Sequence, residues 1–180
     1  MTITIRPAEP RDCDAVAALH IGLSRLAYAH IFSADHLGER LATEKQALWH
    51  QRLSGAPEPE KRTINVAELN GTVCGFSCFV FDDDDPLGAY LHNLYVHTDA
   101  QKQGLAGRLI EAGLDRFPQR FADRGVYLKA LEKNLPACRL YHRWGGEVLD
   151  KVEVPDPPHQ PVIALRFVWP TPAALRQAIA

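Results

Sequence analysis

Positive charge is not in excess in this chain. Its 20 Lys and Arg face 22 Asp and Glu, for a formal net charge of −2 at pH 7. Nonspecific nucleic-acid binding depends on a positive excess, so that class is disfavoured. A small anion held by backbone amides is untouched by this argument. Long hydrophobic runs are also missing, since none approaches the ~18–20 residues of a membrane span. The opening Met1-Thr2-Ile3-Thr4-Ile5-Arg6 has no basic region followed by an apolar signal core, so a cytoplasmic location is expected. Cysteine is sparse and scattered at Cys13, Cys74, Cys78 and Cys138, with no Cys-x-x-Cys. Cys74 and Cys78 lie four apart in a strand-like run. At ~3.3 Å per residue they are about 13 Å apart, beyond the ~7 Å that a disulfide tolerates, so reduced thiols are expected. Neither Gly-x-Gly-x-x-Gly nor Gly-x-x-x-x-Gly-Lys-[Ser/Thr] occurs, which removes the two commonest phosphate-binding loops. His97, His142 and His159 have no partners at metal-ligand spacing, and no metal is expected.

What remains is ordinary globular composition, 46% hydrophobic and 23% charged over 180 residues. At ~150 residues per domain, residues 1–180 read as one domain. Thr2 to Arg6 alternates like a first strand, and Pro7 to Pro10 breaks it. A helix follows, with Asp12 or Asp14 as cap and Val16, Leu19, Leu23 and Leu26 as its apolar positions. A second runs from about Asp35 to Leu53, with Leu37, Leu41, Leu48 and Trp49. Ile64–Leu69 and Val73–Phe81 flank Asn70-Gly71, the strongest short hairpin signal. Tyr90–Val96 is a strand, and a helix begins near Gly104 and ends or kinks at Pro118. Val126–Leu131 is a strand and Asn134–Trp144 a helix stopped by Gly145-Gly146. Val148–Val154 and Val162–Val168 form a closing pair, and Ala173–Ile179 is a short helix or frays. The order predicts a mixed α/β sheet of about seven strands, antiparallel hairpins joined by a parallel crossover through the helix at Gly104.

The informative stretch is Leu94-Tyr95-Val96, then a loop carrying Gln101-Lys102-Gln103-Gly104-Leu105-Ala106-Gly107. Small residues let a ligand approach the backbone, and the first turn of a helix leaves amide groups unpaired at its positive end. Such an end suits phosphate. A second motif, Asn134-Leu135-Pro136-Ala137-Cys138-Arg139-Leu140-Tyr141-His142-Arg143-Trp144-Gly145, follows the next strand.

Together the two segments resemble the GNAT superfamily of N-acetyltransferases. The first is similar to its Gln/Arg-x-x-Gly-x-Gly/Ala pyrophosphate loop, and the second to its Asn-x-x-Ala-x-x-Leu-Tyr-x-x-x-Gly segment. Ala106 stands where glycine is commoner. The strand order also matches, over roughly residues 2 to 168. The resemblance implies a GNAT-like sheet splayed between its two central parallel strands, with acetyl-CoA as co-substrate. Residues 1–60 would supply the N-terminal strand and acceptor-side helices, 90–146 the acyl-CoA-binding core, and 147–170 the closing hairpin. The strand segment Leu94-Tyr95-Val96 would hold the pantetheine arm through the backbone of Leu94 and Val96, as an added strand. The amides of Gln101, Lys102, Gln103, Gly104, Leu105, Ala106 and Gly107 would hold the pyrophosphate. Asn134 would contact the pantetheine or neighbouring backbone, or cap its helix. Tyr141 would protonate the leaving thiolate.

The implied reaction is direct transfer of acetyl to a primary amine in a ternary complex. An alkylamine with pKa ~10.4 is neutral about once in 2,500 at pH 7, so a base or a desolvating pocket is needed. His92 is the candidate. Strand alternation puts Tyr90, His92, Leu94 and Val96 on one face, and an ionisation at about 6–7 is expected of it. Its alternative is a half-buried structural histidine. Asp82 to Asp85 is a solvated turn or an attractor for a cationic amine. Tyr28, Trp49 and the Pro155–Pro161 loop are expected to line the acceptor pocket. The acceptor is a small-molecule amine or a protein amino group, with neither nucleic acid nor membrane as partner, and a homodimer is compatible with the sequence. Two other readings stand beside this one, a non-catalytic acyl-CoA-binding sensor and transfer of a longer acyl group.

Overall fold

In a computed structural model, residues 2–156 and 159–180 are described. Seven strands form one sheet: β1 (Ile3–Pro7), β2 (Arg62–Leu69), β3 (Thr72–Val80), β4 (Ala89–Val96), β5 (Val126–Leu131), β6 (Glu147–Asp156) and β7 (His159–Trp169). Their spatial order is β1-β2-β3-β4-β5-β7-β6. Every neighbouring pair is antiparallel except β4 and β5. The helices are α1 (Cys13–Tyr28), α2 (Glu39–Leu53), α3 (Leu105–Leu114), α4 (Leu135–Arg143) and α5 (Pro172–Ile179). Among the described residues none is long and apolar enough to cross a membrane.

The sheet separates two apolar layers. On one face α1 and α2 bury Val16, Ala17 and Trp49 against Val66, Phe76 and Cys78. On the other, α3, α4 and α5 bury Ile110, Tyr141 and Leu175 against Phe79, Leu91, Leu128 and Phe167. The tail expected to be a short helix or to fray is therefore a docked helix. Thr171 caps it by accepting from the Ala174 amide, and Leu175 is fully buried.

Four expectations shift. Asp12 precedes α1 but does not cap it with its side chain. Its carboxylate accepts from Arg6 at 2.7 and 2.9 Å and from the Glu9 amide at 2.7 Å, so the ion pair with β1 takes the oxygens a cap would use. The guanidinium of Arg6 holds that carboxyl below its usual range. The buried stripe of α1 is Val16, Ala17, His20, Ile21 and Ser24, and Leu26 is 64% exposed. His20 and Ser24 go inside because each has a partner, the Trp49 indole at 3.0 Å and the Tyr95 hydroxyl at 3.5 Å. α2 starts at Glu39 rather than Asp35, because Arg25 bonds the Leu37 and Gly38 carbonyls and holds that segment as a loop. α3 stops at Leu114, before Pro118. The chain tightens there so that Phe117 packs edge-on against Phe79 and Phe81. All four cysteines are free and buried.

Candidate functional site

The site begins with an incomplete strand pairing. β4 and β5 pair only at Ala89↔Val126 and Tyr90↔Tyr127. At that end two glycines meet, and a Cβ on Gly88 would collide with the Gly125 carbonyl. The Ala89 amide donates to that same carbonyl at 2.9 Å. Beyond Tyr90 the strands part, so the β5-facing backbone edge of β4 has no β5 residue paired to it up to Val96. Such an edge can take an extended chain as an added strand.

Past Val96 the backbone turns through a short loop into α3. Lys102 and Gly104 both have positive φ, 60° and 72°. Left-handed residues alternating with ordinary ones, as here on either side of Gln103, turn successive backbone N–H groups into a common concavity, an anion-binding nest. The amides of Lys102, Gln103 and Gly104 have no backbone acceptor among the described residues. The first-turn amides of α3 at Leu105, Ala106 and Gly107 lack acceptors within the helix. Gln101 has a different job from its neighbours, since its side-chain amide donates to the Val96 carbonyl at 3.0 Å and anchors the loop to the strand end. Gln103 does the same more weakly toward Asp99. The chemistry of this donor set, convergent amides at a positive helix end beside an open strand edge, fits a diphosphate joined to an extended arm.

Asn134 sits at the N-cap of α4, and its Oδ1 accepts from the Ala137 amide at 3.4 Å. Tyr141, one α4 turn beyond Ala137, is almost fully buried beside Trp144 and Phe167. Its hydroxyl has no hydrogen-bond partner among the described residues. Burial, with the Tyr95 phenol second, pushes its pKa well above the usual tyrosine value, so it carries its proton at neutral pH.

The expected shared face of Tyr90, His92, Leu94 and Val96 is not what forms. The β3–β4 register shifts at Cys78/Phe79, where Leu91 pairs Phe79 and Asn93 pairs Cys78, leaving His92 as the extra residue of a bulge. The bulge re-phases the strand. Leu94 and Val96 pack with α3 residues, while Tyr95 packs on the α1–α2 face against Phe76 and His20. His92 lies edge-on to Tyr90 at 5.2 Å and meets Arg52 of α2. So Leu94 and Val96 share one side of the sheet, and His92 and the Tyr95 side chain share the other. The Tyr95 hydroxyl lies 3.1 Å from that of Tyr28.

His92 Nδ1 is 2.7 Å from Asn93 Oδ1 and 3.0 Å from Arg52 Nη1. Arg52 Nη1 donates to Asn93 Oδ1 at 3.2 Å. Nδ1 can serve only one of these partners: with its proton on Nδ1 the ring donates to Asn93 and leaves Nε2 bare as an acceptor, and without it Nδ1 accepts from Arg52 and Nε2 carries the proton. Burial, and then the Arg52 cation, push the His92 pKa down to about 4. The expectation of about 6–7 is therefore corrected. It took the free-imidazole value, and no local pattern revealed a guanidinium 40 residues upstream.

Other expected positions part ways too. Trp49 is completely buried and donates to His20 Nδ1, so it belongs to the α1–α2 core rather than a pocket wall. Asp83 pairs with Arg120 at 2.7 Å, and Asp85 accepts from the Tyr127 hydroxyl, so half of the acidic turn fastens the closed end of the β4–β5 gap. The Pro155–Pro161 stretch is mostly strand; Pro157 and Pro158 lie outside the described residues. Asp156 accepts from the Ser33 amide and hydroxyl at 3.1 and 3.0 Å and pairs with His36 at 3.2 Å, tying the β6–β7 hairpin to the α1–α2 loop. Beside this tie lies a cleft of about 460 Å³, lined by Phe32, Ser33, Glu132, Asp156 and Pro161 among others. The sequence reading missed Arg52 and the tyrosine pair. It also did not foresee the approach of Cys13, Asp14 and His50, whose ligand atoms lie within 4.8 Å, with Asp14 and His50 exposed.

A family profile described as acetyltransferase (GNAT) matches residues 25–146. A probable N-acetyltransferase of Mycobacterium tuberculosis is 31% identical over 144 residues, covering 78% of each chain. The fold is similar to that of the PaiA N-acetyltransferase of Thermoplasma acidophilum, solved in complex with coenzyme A. That match has a TM-score of 0.66 at 16% identity and covers 92% of this chain and 98% of the other. It is also similar to YncA of Salmonella typhimurium, a putative acetyltransferase solved with acetyl-CoA, with a TM-score of 0.65 at 18% identity and 94% of each chain covered.

Proposed function

The chain belongs to the GNAT family of acetyltransferases, and on that premise we propose that it transfers acetyl from acetyl-CoA directly to a primary amine within a ternary complex. The observation that carries the reading is the open β4 edge running into a loop of unpaired amides. That edge is the one place where the described backbone offers hydrogen bonds to an extended ligand and a concavity to its diphosphate.

In this reading residues 1–180 act as one unit. The backbone of Leu94, Tyr95 and Val96 holds the pantetheine arm, and the amides from Lys102 to Gly107 hold the pyrophosphate; Gln101, expected among them, instead donates its backbone amide to the Thr98 carbonyl at 3.2 Å. Asn134 fixes the start of α4 and its free side-chain nitrogen faces the arm. When bound, acetyl-CoA supplies an activated thioester carbonyl. His92 Nε2 takes, through a water, the proton that the amine loses. Tyr141 holds a proton at neutral pH and gives it to the sulfur that leaves. Transfer needs no covalent enzyme intermediate, in keeping with four buried, un-ionised thiols.

The test is a melting curve with and without acetyl-CoA, followed by thiol release with an amine panel. A ligand that binds only the folded chain stabilises it by RT ln(1 + [L]/Kd). The expected result is a rise in Tm and release of thiol that depends on the amine. A rise with no release under any amine would make the chain an acyl-CoA sensor. Release from propionyl- or succinyl-CoA in preference to acetyl-CoA would change the acyl group.

A further inference from the structure

The start of α1 and the end of α2 meet, and three donors of different kinds converge there. Cys13 opens α1 and is buried, Asp14 follows it and is exposed, and His50 stands exposed in the last turn of α2. One ligand atom from each, a thiol sulfur, a ring nitrogen and a carboxylate oxygen, lies within 4.8 Å of the other two. His50 Nε2 and Asp14 Oδ1 are 3.8 Å apart. The other ring nitrogen is engaged, since Nδ1 lies 3.2 Å from Ser54 Oγ at the C-cap of α2. When Nδ1 carries the proton and donates to that hydroxyl, Nε2 is left bare on the side of Asp14.

We propose that Cys13, Asp14 and His50 form a Zn2+ site, with water in the fourth position. A thiolate, an imidazole and a carboxylate together suit Zn2+, whereas Mg2+ and Ca2+ take oxygen ligands. Around a tetrahedral Zn2+ with bonds of ~2.0–2.3 Å, neighbouring ligand atoms sit about 3.4–3.6 Å apart. The His50–Asp14 gap is already close to that. The widest gap must close by about 1 Å. Rotation of the two exposed side chains supplies this, while Cys13 stays packed with Val16 and Trp49 in the α1–α2 core. Binding breaks the S–H bond of Cys13, forms a Zn–S bond and sends the proton to solvent, with no change of oxidation state. Without metal the thiol keeps that proton, because burial, and then the Asp14 charge, raise its pKa. Thiolate and carboxylate together neutralise the dication, and both stand in the first turn of α1, at its positive end.

Neighbouring carboxylates explain why the fourth ligand is water. Asp12 is held by Arg6 and the Glu9 amide, and Glu9 pairs with Arg11 at 2.8 Å. The metal fastens the first turn of α1 to the last turn of α2, two helices that otherwise meet through apolar packing. His50 stands two positions before Arg52, about 200° around the helix, so the site faces away from His92 and the β4–β5 gap. It therefore stands or falls independently of the acetyltransferase reading.

The experiment strips the full chain with a chelator, keeps it reduced, and titrates it with Zn2+ against a chromophoric competitor. Co2+ is titrated separately as a spectroscopic stand-in. The expected result is one Zn2+ per chain with a Kd of ~10 μM or below, and a rise in Tm with the metal. Co2+ should show a thiolate-to-metal charge-transfer band and the visible bands of tetrahedral coordination. Asp14→Asn and His50→Gln alter exposed side chains, and each should weaken Zn2+ at least ~10-fold and remove most of the Tm rise. Ser54→Ala, which frees the His50 ring, should weaken it a few-fold. Cys13→Ala should abolish the charge-transfer band; if that buried change prevents folding, the two surface variants still decide. No Zn2+ bound at ~100 μM, a Co2+ spectrum without sulfur character, or a Kd unmoved in both Asp14→Asn and His50→Gln overturns the proposal.

Discussion

The two walls of the β4–β5 gap are built in opposite ways. One is a single run of chain from Leu94 to Gly107, and it works through backbone: an unpaired strand edge, two left-handed residues and the start of α3. The other is the α1–α2 face, and it works through side chains. Tyr28, Arg52, His92 and Tyr95 come from three elements and are separated by up to 67 residues in sequence. A wall made of local backbone needs small residues at fixed spacing and so leaves a motif. A wall made of side chains needs only that the fold bring them together, and it leaves none.

That contrast can be broken most sharply at Gly104. Gly104→Asp forces a side chain onto a backbone at φ 72° and puts negative charge where phosphate should sit. The acetyl-CoA thermal shift should vanish, and a variant that binds as tightly as the parent would remove the loop from the site. Tyr141→Phe is next. It keeps the ring and removes the proton, so kcat should fall about 10²-fold while the thermal shift stays. Unchanged turnover would pass the acid role to water or to another group.

The side-chain wall should also reveal itself by pH. Folded His92 has a pKa of about 4 and folded His20 about 3, against ~6.5 when unfolded. Below pH ~6.5 the unfolded chain takes up protons that the folded chain refuses. Stability therefore falls as pH drops from there toward 4, by about 1.4 kcal/mol per pH unit for each histidine. His20 has a further reason to resist protonation, since its Nδ1 must stay bare to accept from Trp49. Urea midpoints between pH 7 and 4.5 measure this, and His92→Gln should lose less on acidification than the parent. In kcat/KM the limb belonging to His92 should lie near 4, well below the amine's own ionisation. A limb at 6–7 that persists in His92→Gln would take the base role away from it.

The smallest effect belongs to Asn134. Asn134→Ala removes a long cap and should cost about 1 kcal/mol or less of stability, with only a few-fold change in acetyl-CoA affinity. A collapse of affinity would instead join Asn134 to the backbone wall.

These differences explain what could be read in advance. The seven strands and their succession along the chain, the Asn70-Gly71 hairpin and the Gly104 loop were legible because each is encoded locally. The bulge at His92 was not. Nothing in Tyr90-Leu91-His92-Asn93-Leu94 marks an extra residue, yet it decides that His92 and Leu94 face opposite sides. Trp49 was misplaced for a related reason. Its helical spacing marks an inward face, but its partner His20 was invisible in the pattern. Arg52 was passed over as one cation among 20.

The four cysteines carry a practical consequence. Each is at most 7% exposed, and burial raises every thiol above its ordinary pKa. A thiol-reactive dye added during turnover should therefore colour with released coenzyme A and leave the folded protein dark, so the assay needs no cysteine-free background. A single cysteine engineered onto the surface, at exposed Leu26 for instance, should in turn be the one position that takes a fluorophore. The chain as it stands is ready for site-selective labelling.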